Sequence, residues 1–159
     1  MNLSVLQKKT AWTLATWFGS GRSPKAPGTV GSLCSLPLVL IGYTGGAFVF
    51  FLTIFGLFFI GWWATHFILE KTKKQDPGFV VIDETIGQSL TFVLALSGPF
   101  HWSYLFIGFA LFRFFDIVKI WPASFFDKSV HNAFGVMMDD VIAGIYAAVI
   151  LYGITFFIN

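Results

Sequence analysis

Between Arg113 and Asp140 the chain sets Arg113, Asp116 and Lys119 at intervals of three, then His131 and Asn132, then the adjacent pair Asp139 and Asp140. Another acid pair, Asp83 and Glu84, stands before an apolar run. Ionisable groups beside membrane segments are expensive, which makes them functional candidates. Crowded carboxylates repel one another, and a divalent cation relieves the repulsion. Hard oxygen donors suit Mg2+ or Mn2+, and Mg2+ is typically shared between one or two carboxylates and a substrate phosphate. Asp83, Glu84, Asp139 and Asp140 are therefore the candidate metal ligands. Adjacent acids also complement the positive end of a helix dipole. That capping role is compatible with metal binding, because helix starts converging on one face aim their dipoles at one anion.

On a helix, the spacing of Arg113, Asp116 and Lys119 fans them over roughly a third of the circumference, so they can face one site. The competing reading is a salt-bridge ladder snorkelling to the interface. It suits Arg113 best, whereas Asp116 and Lys119 lie nearer the helix end and the other acids. The loop Gly28-Thr29-Val-Gly31-Ser32 leads into a helix, and its free N–H groups can cradle a phosphate with Lys25 or Arg22 adding charge. Thr29, Ser32, Lys25 and Arg113 are thus candidate phosphate contacts, a weak signal that a plain connector would also satisfy. No Gly-Lys-Ser/Thr follows, so this is not a P-loop. His131 reads first as a surface histidine and only second as a general acid. His66 and His101 read as interface residues, and Gln88 as a hydrogen-bonding residue inside the bundle.

These residues need elements to hold them at a membrane face. Of 159 residues, 56% are hydrophobic, 21 are Phe and only 11% are charged. Soluble domains carry about 25% charged residues. The excess apolar surface needs lipid, so the chain reads as an integral membrane protein in one domain, 1–159. A net charge of +2 without a basic stripe gives no case for nucleic acid. The one cysteine, Cys34, cannot form an intramolecular disulfide and reads as a small buried hydrophobe. Lys8 and Lys9 precede a mixed run without a small-x-small cleavage site, so a cleaved signal is not expected.

Residues 5–18 fit a short interfacial helix by their i, i+3, i+4, i+7 apolar spacing, with Trp12 and Trp17 suited to the interface. Its two lysines can face acidic headgroups. Two prolines and four glycines predict a loop over 19–32. Apolar segments follow at 33–43 (extending back to Thr29 if its hydroxyl caps the helix), 47–69, 85–97, 102–118 and 141–158. The stretch 47–69 is the clearest span; 33–43 and 85–97 are short for one, which needs about 20 residues. Threading five crossings from an inside N-terminus puts all ten basic and eight acidic residues on or just inside one face, and none at the turns near Gly45 and Gly98. The positive-inside rule makes that face cytoplasmic and the C-terminus external. The expected fold is an all-α integral membrane protein: a compact bundle of about five transmembrane helices, the short ones spanning or re-entrant, with an N-terminal interfacial helix.

Three blocks, in order, resemble the phosphatidylglycerophosphatase A family. They are Pro24-Lys-Ala-Pro27-Gly28-Thr29-Val-Gly31-Ser32-Leu33; Ile82-Asp83-Glu84-Thr-Ile-Gly87-Gln88; and Phe112-Arg113-Phe-Phe-Asp116-Ile-Val-Lys119-Ile-Trp-Pro122, continuing through Asp127, His131, Gly135, Met138, Asp139 and Asp140. The resemblance implies a Mg2+-dependent phosphatase of the bacterial inner membrane that converts phosphatidylglycerophosphate to phosphatidylglycerol, its site facing the cytoplasm. By matching positions it implies a polar site of Asp83, Glu84, Asp116, Lys119, Asp139 and Asp140. Asp116, Lys119, Asp83 and Asp140 are then the candidates for catalysis, and water or Asp116 itself the attacking group. Ser23, His131 and Asn132 are the candidates for meeting the second glycerol of the headgroup. The expected partners are the phospholipid substrate and the membrane, with no obligatory protein partner evident. The rivals are a small transporter or ion-coupled carrier using the acidic cluster, and a structural assembly factor. A transporter places its ionisable groups near the bilayer midplane, whereas here they gather at one face.

Overall fold

Residues 3–158 are described by the computed structural model, and every regular element among them is helical. In order these are α1 (Leu3–Ala15), α2 (Pro27–Gly45), α3 (Ala47–Thr72), α4 (Ile82–Leu90), α5 (Trp102–Val118), α6 (Ala123–Ser129) and α7 (Ala133–Ile158), with 3-10 turns at Ser20–Arg22 and Ala95–Ser97. Asn159, the expected external end, lies outside the described residues.

Three helices, α2, α3 and α7, are long and apolar enough to cross a bilayer. Their outer faces are lined with large apolar groups such as Phe48, Val149 and Phe157, all well exposed, as lipid contact requires. Cys34 also belongs to this outer surface and is not the buried hydrophobe the sequence predicts. In lipid an apolar group need not be buried in protein, so burial rules for soluble cores misplace it. The last two turns of the shorter α5 hold Arg113 and Asp116.

The expected segment 85–97 does not continue as one helix. It breaks after α4, and the chain closes in the Ala95–Ser97 turn. Almost all of α4 is buried, from Ile82 and Asp83 to Gln88 and Ser89, and α2, α3, α5 and α7 pack around it. Small residues allow the approach. A Cβ on Gly87 would lie 2.5 Å from Phe112 Cε2, and one on Gly144 would lie 3.0 Å from Gly87 Cα. Close backbone packing at small residues replaces the hydrophobic drive that helices lose in lipid.

Two boundaries differ from the sequence reading. First, α2 begins at Pro27, inside the stretch 19–32 read as a loop. Proline at the first helical position lacks only an N–H that would be unpaired anyway. Gly28 is accepted there because the Glu84 carboxyl group packs where its side chain would be, with Glu84 Cδ 3.1 Å from an ideal Cβ. Second, α7 begins at Ala133 and not at 141. Asn132 Oδ1 accepts from Phe134 N at 2.9 Å and Gly135 N at 3.0 Å, and so caps the helix. Asp139 and Asp140 therefore lie about two turns inside α7, both buried, instead of capping its start.

The start of α2, the end of α3, the start of α4, the end of α5 and the first turns of α7 gather at one end of the molecule. At the other end the Tyr43 and Phe100 rings meet edge to face at 4.9 Å. The turns there, around Gly45 and Gly98, contain no Asp, Glu, Lys or Arg. Helix α1 lies against α3 through the buried Ala11 and Ala15. It also grips the segment that enters α4: Trp12 stacks on Phe79 at 5.1 Å, and Ala15 O accepts from Val81 N at 2.8 Å.

Candidate active site

A cavity of about 250 Å³ opens where the helix ends gather. Asp83 and Glu84 enter it from the first turn of α4, Asp116 from α5, Lys119 from the residue that closes α5, and Asp139 and Asp140 from α7. His131 lines it from the loop before α7. The six residues of the predicted polar site are thus brought together by three helices far apart in sequence. Asp76, on the 73–81 loop, and Asp127, on α6, join them, so that seven carboxylates and one lysine face one small space.

The cations organise part of this cluster. Arg113 Nη1 lies 2.5 Å from Asp116 Oδ2. The same nitrogen reaches back to Ser32 Oγ at 3.4 Å, and Ser32 Oγ donates to Gly28 O at 2.9 Å. Arg113 and Ser32 therefore stand behind Asp116 and outside the cavity wall, joining α5 to the first turns of α2. Lys119 Nζ bonds Asp139 Oδ2, lies 3.2 Å from Asp127 Oδ1 and 4.0 Å from Asp116 Oδ1. Burial opposes the lysine's charge, but Asp140, Asp139 and Asp127 outweigh it and hold the amine's pKa above its ordinary value.

Among the described residues, Asp83, Glu84 and Asp140 make no ion pair with a cation. They can each offer one oxygen such that the three oxygens lie within 4.8 Å of one another. Glu84 Oε2 and Asp140 Oδ1 are buried and have no hydrogen-bond partner among the described residues. Burial, then the neighbouring Glu84 charge, pushes the Asp83 carboxyl well above its ordinary range. Burial pushes Glu84 up to about 8, with Asp140 and Asp116 adding to the rise while Asp83 and Arg113 oppose it. Orphaned carboxylate oxygens at this spacing are what a hard cation takes as ligands, and the three residues fit a metal ion. Asp139, also a predicted ligand, is engaged by Lys119.

The remaining predicted residues lie outside the cavity wall. Ser23 donates its hydroxyl to Lys25 O at 2.8 Å, in the exposed loop before α2. Thr29 is half-buried in the first turn of α2, and Asn132 is engaged as the cap of α7. Sequence reasoning gave no site role to Asp76 or Asp127. Asp76 falls in a run of polar loop residues and Asp127 in a short helix, and neither setting distinguishes them from solvated charges. Gln88 differs from expectation in a simpler way. It is fully buried, yet neither amide atom finds a partner among the described residues.

The model of the family described as phosphatidylglycerophosphatase A matches residues 13–155, which include every element of the cavity. The chain belongs to this family. Two relatives named phosphatidylglycerophosphatase A agree with it. The Escherichia coli K12 protein is 36% identical over 151 residues, covering 94% of this chain and 86% of that one. The Haemophilus influenzae protein is 37% identical over 145 residues, covering 90% and 87%. A protein of Bacteroides thetaiotaomicron, provisionally named a phosphatidylinositol-3-phosphatase, is 36% identical over 148 residues, covering 87% and 89%. No solved structure matches the chain. Membership of the phosphatidylglycerophosphatase A family makes the chain a phosphatase, and its three long apolar helices make it a membrane protein. The transporter and assembly-factor readings gain no support.

Proposed function

We propose that this phosphatase removes the terminal phosphate of phosphatidylglycerophosphate, giving phosphatidylglycerol, at the cytoplasmic face of the bacterial inner membrane and with Mg2+. The observation that carries the reading is the convergence of α4, α5 and α7 on one carboxylate cavity in a chain of this family. In the proposed topology α2, α3, residues 85–97, α5 and α7 make five crossings from a cytoplasmic N-terminus, which leaves the charged ends on the cytoplasmic side.

Asp83, Glu84 and Asp140 would hold Mg2+, which when bound offsets the negative charge of the phosphoryl group in the transition state. Lys119 supplies a second positive contact to the phosphate, fixed in place by Asp139 and Asp127. Arg113 orients Asp116, which takes the proton of the attacking water as the P–O bond to glycerol breaks. The glycerol oxygen takes its proton at the solvent-facing mouth, where the exposed His131 stands. His131 also meets the headgroup glycerol, with Ser23 and Asn132 further out and Lys25 and Thr29 adding to the field at the start of α2. The acyl chains lie against the Phe-rich outer surface.

Purified protein should release phosphate from phosphatidylglycerophosphate in Mg2+ and lose that activity in EDTA. The comparison substrates are phosphatidic acid, phosphatidylinositol 3-phosphate and soluble glycerol phosphate. A preference in kcat/KM for another of these would remove phosphatidylglycerophosphate as the substrate. Full activity in EDTA would remove the metal.

A further inference from the structure

Two open grooves run along α1, away from the carboxylate cavity. One, of about 590 Å³, lies between α1 and the last turns of α3 and is lined by Val5, Lys8, Trp12, Phe67 and Lys71 among others. The other, of about 490 Å³, shares Val5, Lys8 and Trp12 and adds Lys9 and Arg22. No Asp or Glu lines either groove. Among the described residues, Lys8, Lys9, Arg22 and Lys71 make no ion pair with a carboxylate. Lys71 Nζ is held 5.7 Å from the centre of the Phe67 ring. Four cations without counter-ions border an apolar wall of Val5, Trp12 and Phe67. Such a surface fits a ligand with an anionic head and an apolar body. A soluble anion has no use for the wall, and lipid is at hand because α1 packs beside the charged end of α3.

We propose that these grooves bind the headgroup of an anionic phospholipid other than the substrate, and that this lipid steadies the wall of the carboxylate cavity. The lysines contact the lipid phosphate, while Trp12, Val5 and Phe67 meet the glycerol and upper acyl chain. The connection to the cavity is short. Trp12 stacks on Phe79 at 5.1 Å, and Ala15 O accepts from Val81 N at 2.8 Å. Phe79 and Val81 end the loop that carries Gln75, Asp76 and Gly78 into the cavity wall. A lipid that fixes α1 therefore fixes this loop without touching the carboxylates. The effect on activity, unlike the lipid binding, rests on the proposed substrate.

The full chain is reconstituted in nanodiscs of phosphatidylcholine alone, or of phosphatidylcholine with phosphatidylserine, which carries no phosphomonoester. Binding is read from quenching of Trp12 fluorescence by brominated lipids, with a Trp12→Phe variant giving the background of the other tryptophans. Brominated phosphatidylserine should quench Trp12 at a lower mole fraction than brominated phosphatidylcholine. The preference should weaken about fivefold for each lysine removed in Lys8→Gln and Lys71→Gln. Equal quenching by the two lipids, or a preference unchanged in the double variant, overturns the site. In the activity arm, phosphatidylserine should lower KM for the lipid phosphate in the unmodified chain. The double variant should show the phosphatidylcholine value in both bilayers. Stimulation retained in the double variant overturns the coupling. A chain that shows the quenching preference but releases no phosphate from phosphatidylglycerophosphate in either bilayer upholds the lipid site and defeats the proposed substrate instead.

Discussion

Asp116 is paired with two cations, whereas among the described residues Asp83, Glu84 and Asp140 are paired with none. The difference has a consequence for stability. Burial pushes Glu84 up from the ordinary 4.5 to about 8, so between those values the folded state binds the extra proton. Stability must then fall as pH rises through that window, because the fold has to give up protons that the unfolded chain has already lost. With the metal-free protein in detergent, Tm should drop as pH is raised across it, and added Mg2+ should flatten the slope. A Tm that rises with pH would mean that these carboxyls are not held protonated in the fold. Gln88, one turn beyond Glu84 on the same face of α4, offers a second test. Its amide is fully buried without a partner among the described residues, a costly arrangement for packing alone. Gln88→Leu should leave Tm unchanged or higher. If the amide steadies Glu84 through bound water, phosphate release should fall by about ten- to a hundredfold and the Mg2+ requirement should rise. Unchanged kinetics would show that Gln88 plays no part in the site.

At the scale of elements, the site depends on how closely α4 and α7 cross. Asp140 is one turn before Gly144, and Gly87 meets both. A Gly144→Ala methyl would lie 3.0 Å from Gly87 Cα and would push the helices apart. The expected cost is about 1–3 kcal/mol of stability, read as a lower Tm. Activity should be lost further than the Tm shift accounts for, because Asp140 moves away from Asp83 and Glu84. If Tm and activity both hold, the crossing has slack and the three oxygens are not fixed by it.

At the scale of the molecule, the five-crossing topology predicts which turns face outward. In a Cys34→Ser background, cysteines placed at Gly45 and Gly98 should react with an impermeant reagent from outside, and one at Lys73 should not. External labelling at Lys73 would invert the arrangement. The sequence by itself determined the class of molecule, because 56% apolar residues with 11% charged cannot be buried without lipid. It also singled out acids that the fold gathers round the cavity: carboxylates are so rare here that Asp83, Glu84, Asp116, Asp139 and Asp140 stand out, and the spacing of Asp116 and Lys119 aims both one way. It had the long helix α3 to within three residues at its end, since a continuous apolar run has no competing reading. Only the tertiary structure decided the division of labour. Which carboxylates Lys119 takes, which remain for a metal, and why α2 can start at Pro27 all depend on groups that meet across helices. No local pattern encodes those meetings. A helix of nine residues such as α4 gains its stability from the four helices around it, so its own sequence gives little sign of where it stops.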